Sequence, residues 1–242
     1  MLWIRFKDPA GCVQIGEIRA GDVFLEDHRY SFEEVEILPP TNPTKIVCVG
    51  LNYADHAEET GREPPSRPSL FLKPPNTVAA HNETITLLPN IERIDHEAEL
   101  GVVIGKRCRN VLEEDAISVV KGYTCVNDLS NRDDQRKEQN WVRGKAFDKS
   151  APIGPFIASP DTVPTDAKIQ LRNNGKTMQN SSIDMMIFNI SELIAEITAY
   201  MTLEPGDIIS TGTPAGVGPI DHGDIVEIEI EGIGILKNKY KK

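Results

Sequence analysis

No run of about 18 apolar residues occurs anywhere in this chain, so no membrane-spanning helix is expected. The opening residues, MLWIRFKDPAGC, lack the apolar core of a secretion signal. The four cysteines, at 12, 48, 108 and 125, form no CxxC pair, and no zinc spacing or haem motif is present. Cys48 and Cys125 lie inside apolar runs, which reads as reduced, buried thiols in a cytoplasmic protein. Basic charge is in deficit: 26 Lys and Arg stand against 37 Asp and Glu, giving a net charge of −11. That balance leaves no electropositive footprint for nucleic acid. The only basic run, KNKYKK at 237 to 242, reads as a solvated terminus. A G-x-S-x-G elbow, a G-x-G-x-x-G turn and the Lys-Ser/Thr ending of a P-loop are all missing, as are internal repeats.

What is present is a chain of 242 residues, 39% hydrophobic, enough for one sizeable domain or a main domain with a small appendage. Strand signals dominate. LWIRF, CVQIGEI and DVFLED are short β-like runs before LPPTNPTK at 38 to 45, where prolines forbid regular pairing and mark a linker. KIVCVGLNY follows as a buried strand, GREPPSRPS at 61 to 69 as a loop, and LFLKPPNT as a short strand stopped by proline. LEEDAISVVKGY at 112 to 123 has helical spacing, and GYTCVND reads as a strand. In NISELIAEITAYMTLEPGD, Ser191 is expected to cap a helix that Pro205 and Gly206 end. There is no regular βαβ alternation.

Chemistry concentrates in a few places. In DHEAELGVVIGK, residues 95 to 106, Glu97 and Glu99 are two apart at the start of an apolar strand, so they share a face. Asp128 ends the strand GYTCVND in a similar setting. Three carboxylates converging at strand ends form a hard oxygen site suited to Mg²⁺ or Mn²⁺, which removes the repulsion between like charges. The competing reading is edge charges paired with lysines and arginines. His96, between the two glutamates, is expected to face the other way. In NYADHAEE, His56 and Glu59 are three apart and can touch on a helical turn, where the carboxylate fixes the tautomer of the imidazole and readies it to activate water. A chance charge pair on a surface helix has the same spacing. NRDDQRKEQNWVRGKAFD carries donors suited to a carboxylate, Arg132, Gln135 and Lys145 among them, though a solvated face has this composition too. STGTPAGVG at 210 to 218 can bring backbone N–H groups to an anion, or serve as a plain tight turn.

The serial order of KIVCVGLNYADHAEE, PSLFLKPPNT, DHEAELGVVIGKRCRNV, GYTCVNDLSNRD, GKAFDKSAPIGPF and EPGDIISTGTPAGVG, over roughly residues 44 to 230, resembles the fumarylacetoacetate hydrolase superfamily. It is most similar to the short members: acylpyruvate hydrolases, oxaloacetate decarboxylases and 2-hydroxyhepta-2,4-diene-1,7-dioate isomerases. The resemblance implies a mainly β, α+β fold, a mixed β-sandwich roll with a few short helices, usually in a homodimer. It implies a small N-terminal β-rich subdomain over 1 to 40 and a catalytic domain over 44 to 242. By the same resemblance Glu97, Glu99 and Asp128 match the ligands of Mg²⁺ or Mn²⁺, and Lys145 matches a lysine contacting the substrate's oxygens. Arg132, Gln135 and Thr213 match substrate contacts, and His56 with Glu59 matches the pair that activates water, carried on a flap. The expected activity is hydrolysis of a C–C bond in an acylpyruvate-like 2-oxo acid through a metal-stabilised enolate. The alternatives are a decarboxylase or isomerase, and a catalytically silent dicarboxylate-binding member. The segment from 135 to 145 is shorter than in some relatives, which bears on recognition of the substrate's far end.

Overall fold

Aliphatic and β-branched runs bounded by glycine, proline and aspartate become strands along the whole chain, and the computed structural model, which describes residues 1–242, gathers them into three sheets. The largest has twelve strands. It runs from His28–Tyr30 and Asp22–Leu25 through Val13–Arg19, Leu2–Lys7, Ala151–Ala158, Val120–Asn127, Ala98–Ile104, Ile208–Ser210 and Ile46–Val49 to Leu70–Lys73. The two strands off this path, Glu36–Ile37 and Val78–Ala79, pair with Leu2–Lys7 and Ala151–Ala158. A five-stranded sheet comprises Lys176–Ser182, Lys168–Asn173, Ile225–Ile230, Gly234–Lys241 and Thr84–Thr86, and a three-stranded one comprises Ser130–Asn131, Ile94–His96 and Gly218–Pro219. The mixed, mainly β expectation therefore holds. No helix is long and apolar enough to cross a membrane.

Two sheet faces enclose the main core of 35 buried residues. Leu100, Val102 and Ile104 of the large sheet share it with Ile169, Leu171, Val226 and Ile228 of the five-stranded sheet. On the opposite face of the large sheet, Val103, Val126, Cys48, Ile153 and Ile208 form a second cluster. The strand Ala98–Ile104 is thus buried along its entire length, which explains why its sequence is almost continuously apolar rather than alternating. Gly101 allows the close approach of its neighbour, since a Cβ there would lie 2.6 Å from Val126 Cγ2. The N-terminal strands carry a third small cluster, Ile4, Phe6 and Val23, packed by Phe32 and Phe156.

Four short helices interrupt the sheets: α1 (Ala54–Thr60), α2 (Arg132–Gln135), α3 (Val142–Lys145) and α4 (Ile190–Tyr200). Three local expectations are corrected. The segment from 112 forms a 3₁₀ turn, Glu113–Val119, and the strand begins already at Val120, which pairs with Ile104 in the sheet. Helix α4 is capped by Asn189, not Ser191: the Asn189 side chain accepts from the N–H groups of Ser191 and Glu192, and Glu192 returns a bond to the Asn189 N–H. It ends at Tyr200, before the proline. Cys12 is exposed, while Cys48, Cys108 and Cys125 are buried as free thiols.

Candidate active site

Strand pairing brings the three acidic residues together from distant parts of the chain. In the antiparallel ladder between Ala98–Ile104 and Val120–Asn127, Ala98 lies opposite Asn127 and Glu99 opposite Val126. One residue past that ladder, the Asp128 N–H donates to the Glu97 carbonyl over 2.9 Å, so Glu97 and Asp128 face each other across the strand ends. Glu97, Glu99 and Asp128 each offer an oxygen within 4.8 Å of the others, and all three are buried. Because side chains alternate along an extended chain, Asp95, Glu97 and Glu99 line one cavity of about 480 Å³ while His96 is buried outside it.

The carboxylates are not alike. Lys145 Nζ bridges Glu97 Oε2 at 2.7 Å and Asp128 Oδ2 at 2.6 Å, and Arg132 also grips Glu97. Burial alone would raise the Glu97 pKa, but Lys145 and Arg132 more than offset it and hold the group well below the usual carboxylate range. Glu99 receives only neutral donors, the Ser210 hydroxyl and the Gly212 N–H at 3.0 Å. Burial, reinforced by the negative charge of Asp128 and Glu97, pushes it up to about 8. Burial would likewise drive Lys145 toward its neutral form, yet Asp128 and Glu97 reverse this and hold it charged.

Beneath Asp128 lies Lys73, fully buried at the end of the edge strand Leu70–Lys73. Its ammonium donates to the carbonyls of Leu129, Lys145 and Ser150. It also forms a buried ion pair with Asp128, 2.8 Å from Oδ1. Burial leads the lowering of the Lys73 pKa. The donor set fits a hard divalent cation: three buried carboxylates whose oxygens lie within 4.8 Å of one another, one of them, Glu99, hydrogen-bonded only by neutral donors.

Helix α1 carries His56 and Glu59, and His56 Nδ1 is 3.1 Å from Glu59 Oε2. The Glu59 carboxylate also accepts the N–H of Gly216, at 3.1 Å to Oε1. Gly216 sits at φ +95, and a Cβ there would come within 2.0 Å of the Met178 carbonyl oxygen, so glycine alone fits this contact. Arg132 lines the cavity with its donors engaged: Nε to Asp95 Oδ2 at 2.8 Å, Nη1 to Gln135 Oε1 at 2.7 Å, and Nη2 to Glu97. Phe71 and Trp141 meet edge to face at 5.4 Å on the cavity wall.

All nine residues singled out from the sequence, His56, Glu59, Glu97, Glu99, Asp128, Arg132, Gln135, Lys145 and Thr213, line this one cavity. Sequence reasoning missed Lys73, Asp95 and the Ser210 hydroxyl; the Gly212 and Gly216 amides lie in the segment expected to bring N–H groups to an anion, and in the fold they donate to the Glu99 and Glu59 carboxylates. Asp95 continued the every-second-residue pattern of Glu97 and Glu99 and was findable. The others depend on packing between strands far apart in sequence.

Comparison with known proteins adds an independent line. Residues 45–241 match the family model described as "Fumarylacetoacetate (FAA) hydrolase C-terminal". The chain is 39% identical over 213 residues to the mitochondrial oxaloacetate tautomerase Fahd2a of Rattus norvegicus, covering 84% of this chain and 68% of that one. The crystal structure of a 5-carboxymethyl-2-hydroxymuconate delta-isomerase from Mycobacterium smegmatis superposes with a TM-score of 0.92 at 38% identity, over 100% of this chain and 98% of the other. A fumarylpyruvate hydrolase from Pseudomonas aeruginosa, solved in complex with Mn²⁺ and pyruvate, gives a TM-score of 0.77 at 33% identity, with 89% and 92% covered.

Proposed function

The chain belongs to the fumarylacetoacetate hydrolase family, and from that membership and the cavity we propose that it is a divalent-cation-dependent enzyme hydrolysing a C–C bond of an acylpyruvate-like 2-oxo acid. Glu97, Glu99 and Asp128 would hold the cation. When bound, it would stabilise negative charge developing on a substrate oxygen. The observation that carries the hydrolytic reading is the His56–Glu59 pair, held together at 3.1 Å on the wall of the cavity that contains the three carboxylates.

The remaining steps belong to the chain's own side chains. Glu59 accepts from His56 Nδ1, which leaves Nε2 free to take a proton from water. The hydroxide so formed adds to the carbonyl carbon beyond the bond to be broken, and that bond's electron pair passes to the pyruvate side. A proton then returns to the carbon left behind. Lys145, buried and held charged, can orient substrate oxygens, and the Gly216 amide keeps Glu59 facing His56. A second reading, tautomerisation or decarboxylation of oxaloacetate, draws on the similarity to the rat tautomerase and uses Lys145 without water activation.

One comparison separates the two. The cation-loaded protein is assayed on acetylpyruvate, fumarylpyruvate and oxaloacetate, beside Glu59→Gln and Glu97→Ala. On the hydrolytic reading, Glu59→Gln loses acylpyruvate cleavage by about 10²-fold or more, and Glu97→Ala loses every activity. Cleavage untouched by Glu59→Gln refutes the water-activating role.

A further inference from the structure

Gln179 is fully buried on the strand Lys176–Ser182 of the five-stranded sheet, and three parts of the site meet at its amide. Its Oε1 accepts the N–H of Ala98, the residue between Glu97 and Glu99, at 3.0 Å. Its Nε2 donates to Thr213 Oγ1 at 2.8 Å and to the Pro214 carbonyl at 2.8 Å. Both amide hydrogens are thereby used. The orientation is forced: a flipped amide would set its NH₂ against the Ala98 N–H and its oxygen against the Pro214 carbonyl.

The consequence falls on Thr213. A hydroxyl carries one hydrogen and two acceptor lone pairs. Thr213 accepts from Gln179, and its side chain has no other partner within the chain, so its own hydrogen is available to the cavity it lines. We propose that Gln179 is a positioning residue that sets the Thr213 hydroxyl as a hydrogen-bond donor toward a carboxylate oxygen of the substrate. The assignment rests on the reading that this cavity takes 2-oxo acids. The free hydrogen suits an acceptor oxygen of the ligand, and a carboxylate oxygen takes it as a charge-assisted bond.

The test uses the full chain loaded with Mn²⁺ and three variants: Gln179→Met, Thr213→Val and the double substitution. Oxalate, a stable analogue of the enolate of a 2-oxo acid, is titrated calorimetrically, and kcat and KM are measured on whichever 2-oxo acid the unmodified protein turns over. Each single variant is expected to raise the oxalate Kd and the KM by about 10- to 100-fold, the value of one hydrogen bond to a charged group, with kcat changed far less. The double variant should be no weaker than Thr213→Val alone, since Gln179 acts through Thr213. Losses that multiply in the double variant overturn the assignment. Should Gln179→Met fail to fold, Gln179→Glu keeps the shape and the acceptor for Ala98, but when ionised draws the Thr213 hydrogen to itself. Its deficit in oxalate affinity relative to the unmodified protein should then widen as pH rises, and a constant ratio counts against the proposal. If the unmodified protein neither binds oxalate nor turns over any 2-oxo acid, the functional reading has failed. Binding with multiplying losses refutes only the role of Gln179.

Discussion

Replacing Lys73 with methionine probes the least visible support of the acidic site. Methionine keeps an unbranched stem in the same space, so the loss is of the ammonium, not of volume. The ammonium donates to the carbonyls of Leu129, Lys145 and Ser150 and to Ser150 Oγ, and faces Asp128 Oδ1 at 2.8 Å, all with no solvent exposure. Removing one member of such a buried set leaves acceptors unpaired and typically costs about 3–5 kcal/mol. Part is returned because the ammonium no longer has to be desolvated, the leading cause of its lowered pKa. A net loss of roughly 3 kcal/mol follows, equivalent to a fall of about 6–12 °C in Tm for a chain of this size. Thermal unfolding in the presence of a chelator measures it without cation linkage. Lys7→Met is the control: its pair with Glu36 is 40% and 62% exposed, so Tm should move by less than about 2 °C. Equal shifts in the two variants would refute the claim that the buried ammonium holds the floor of the site.

Other expectations follow from the same geometry. Glu99, pushed up to about 8, keeps its proton at neutral pH. Cation uptake at pH 7 should therefore release close to one proton, and the apparent affinity should tighten about tenfold between pH 7 and 9. Calorimetry in two buffers of different ionisation enthalpy reads that proton, and a count near zero contradicts it. His81, lowered to about 4 chiefly by burial and then by Lys237, binds more protons unfolded than folded between about 4 and its ordinary pKa of 6.5. Its contribution is present above pH 6.5 and is lost as pH falls toward 4, on the order of 2 kcal/mol allowing for its partial exposure. His81→Gln should flatten urea-measured stability across that window. Gly216→Ala forces a Cβ into the Met178 carbonyl and should cut water-dependent cleavage at least about tenfold while sparing cation affinity; unchanged cleavage would show that the Glu59 contact is dispensable.

Legibility in the sequence tracked the range of the interaction. Glu97 and Glu99 declared a common face through a spacing of two, and His56 with Glu59 through a spacing of three, because strand and helix periodicities are local. Asp128 was found by its place at the end of an apolar strand, and antiparallel pairing with register Ala98–Asn127 made the rest inevitable. Lys73 looked like the polar end of a strand halted by proline, and only the fold turns it inward. Gln179 stands among polar residues of a hairpin, where nothing marks it as fully buried. The engagement of Arg132 with Asp95 and Glu97 was equally hidden, since a basic residue in a charged run has no local signature of its partner.

The strand Ala98–Ile104 has no solvent-facing side, and this restricts how the protein can vary. Shifting it by one position would carry Glu97 and Glu99 into the apolar sandwich and deliver Leu100 to the cavity. An insertion or deletion there destroys folding and chemistry in one event. Length change is tolerated where no ladder is at stake, in the loop from 61 to 69 beside α1 and in the stretch from 136 to 141 between α2 and α3. Arg62 and Arg136 project from these segments into the cavity wall. New substrate preferences can therefore be sampled by lengthening or shortening the rim, while the acidic floor stays in register.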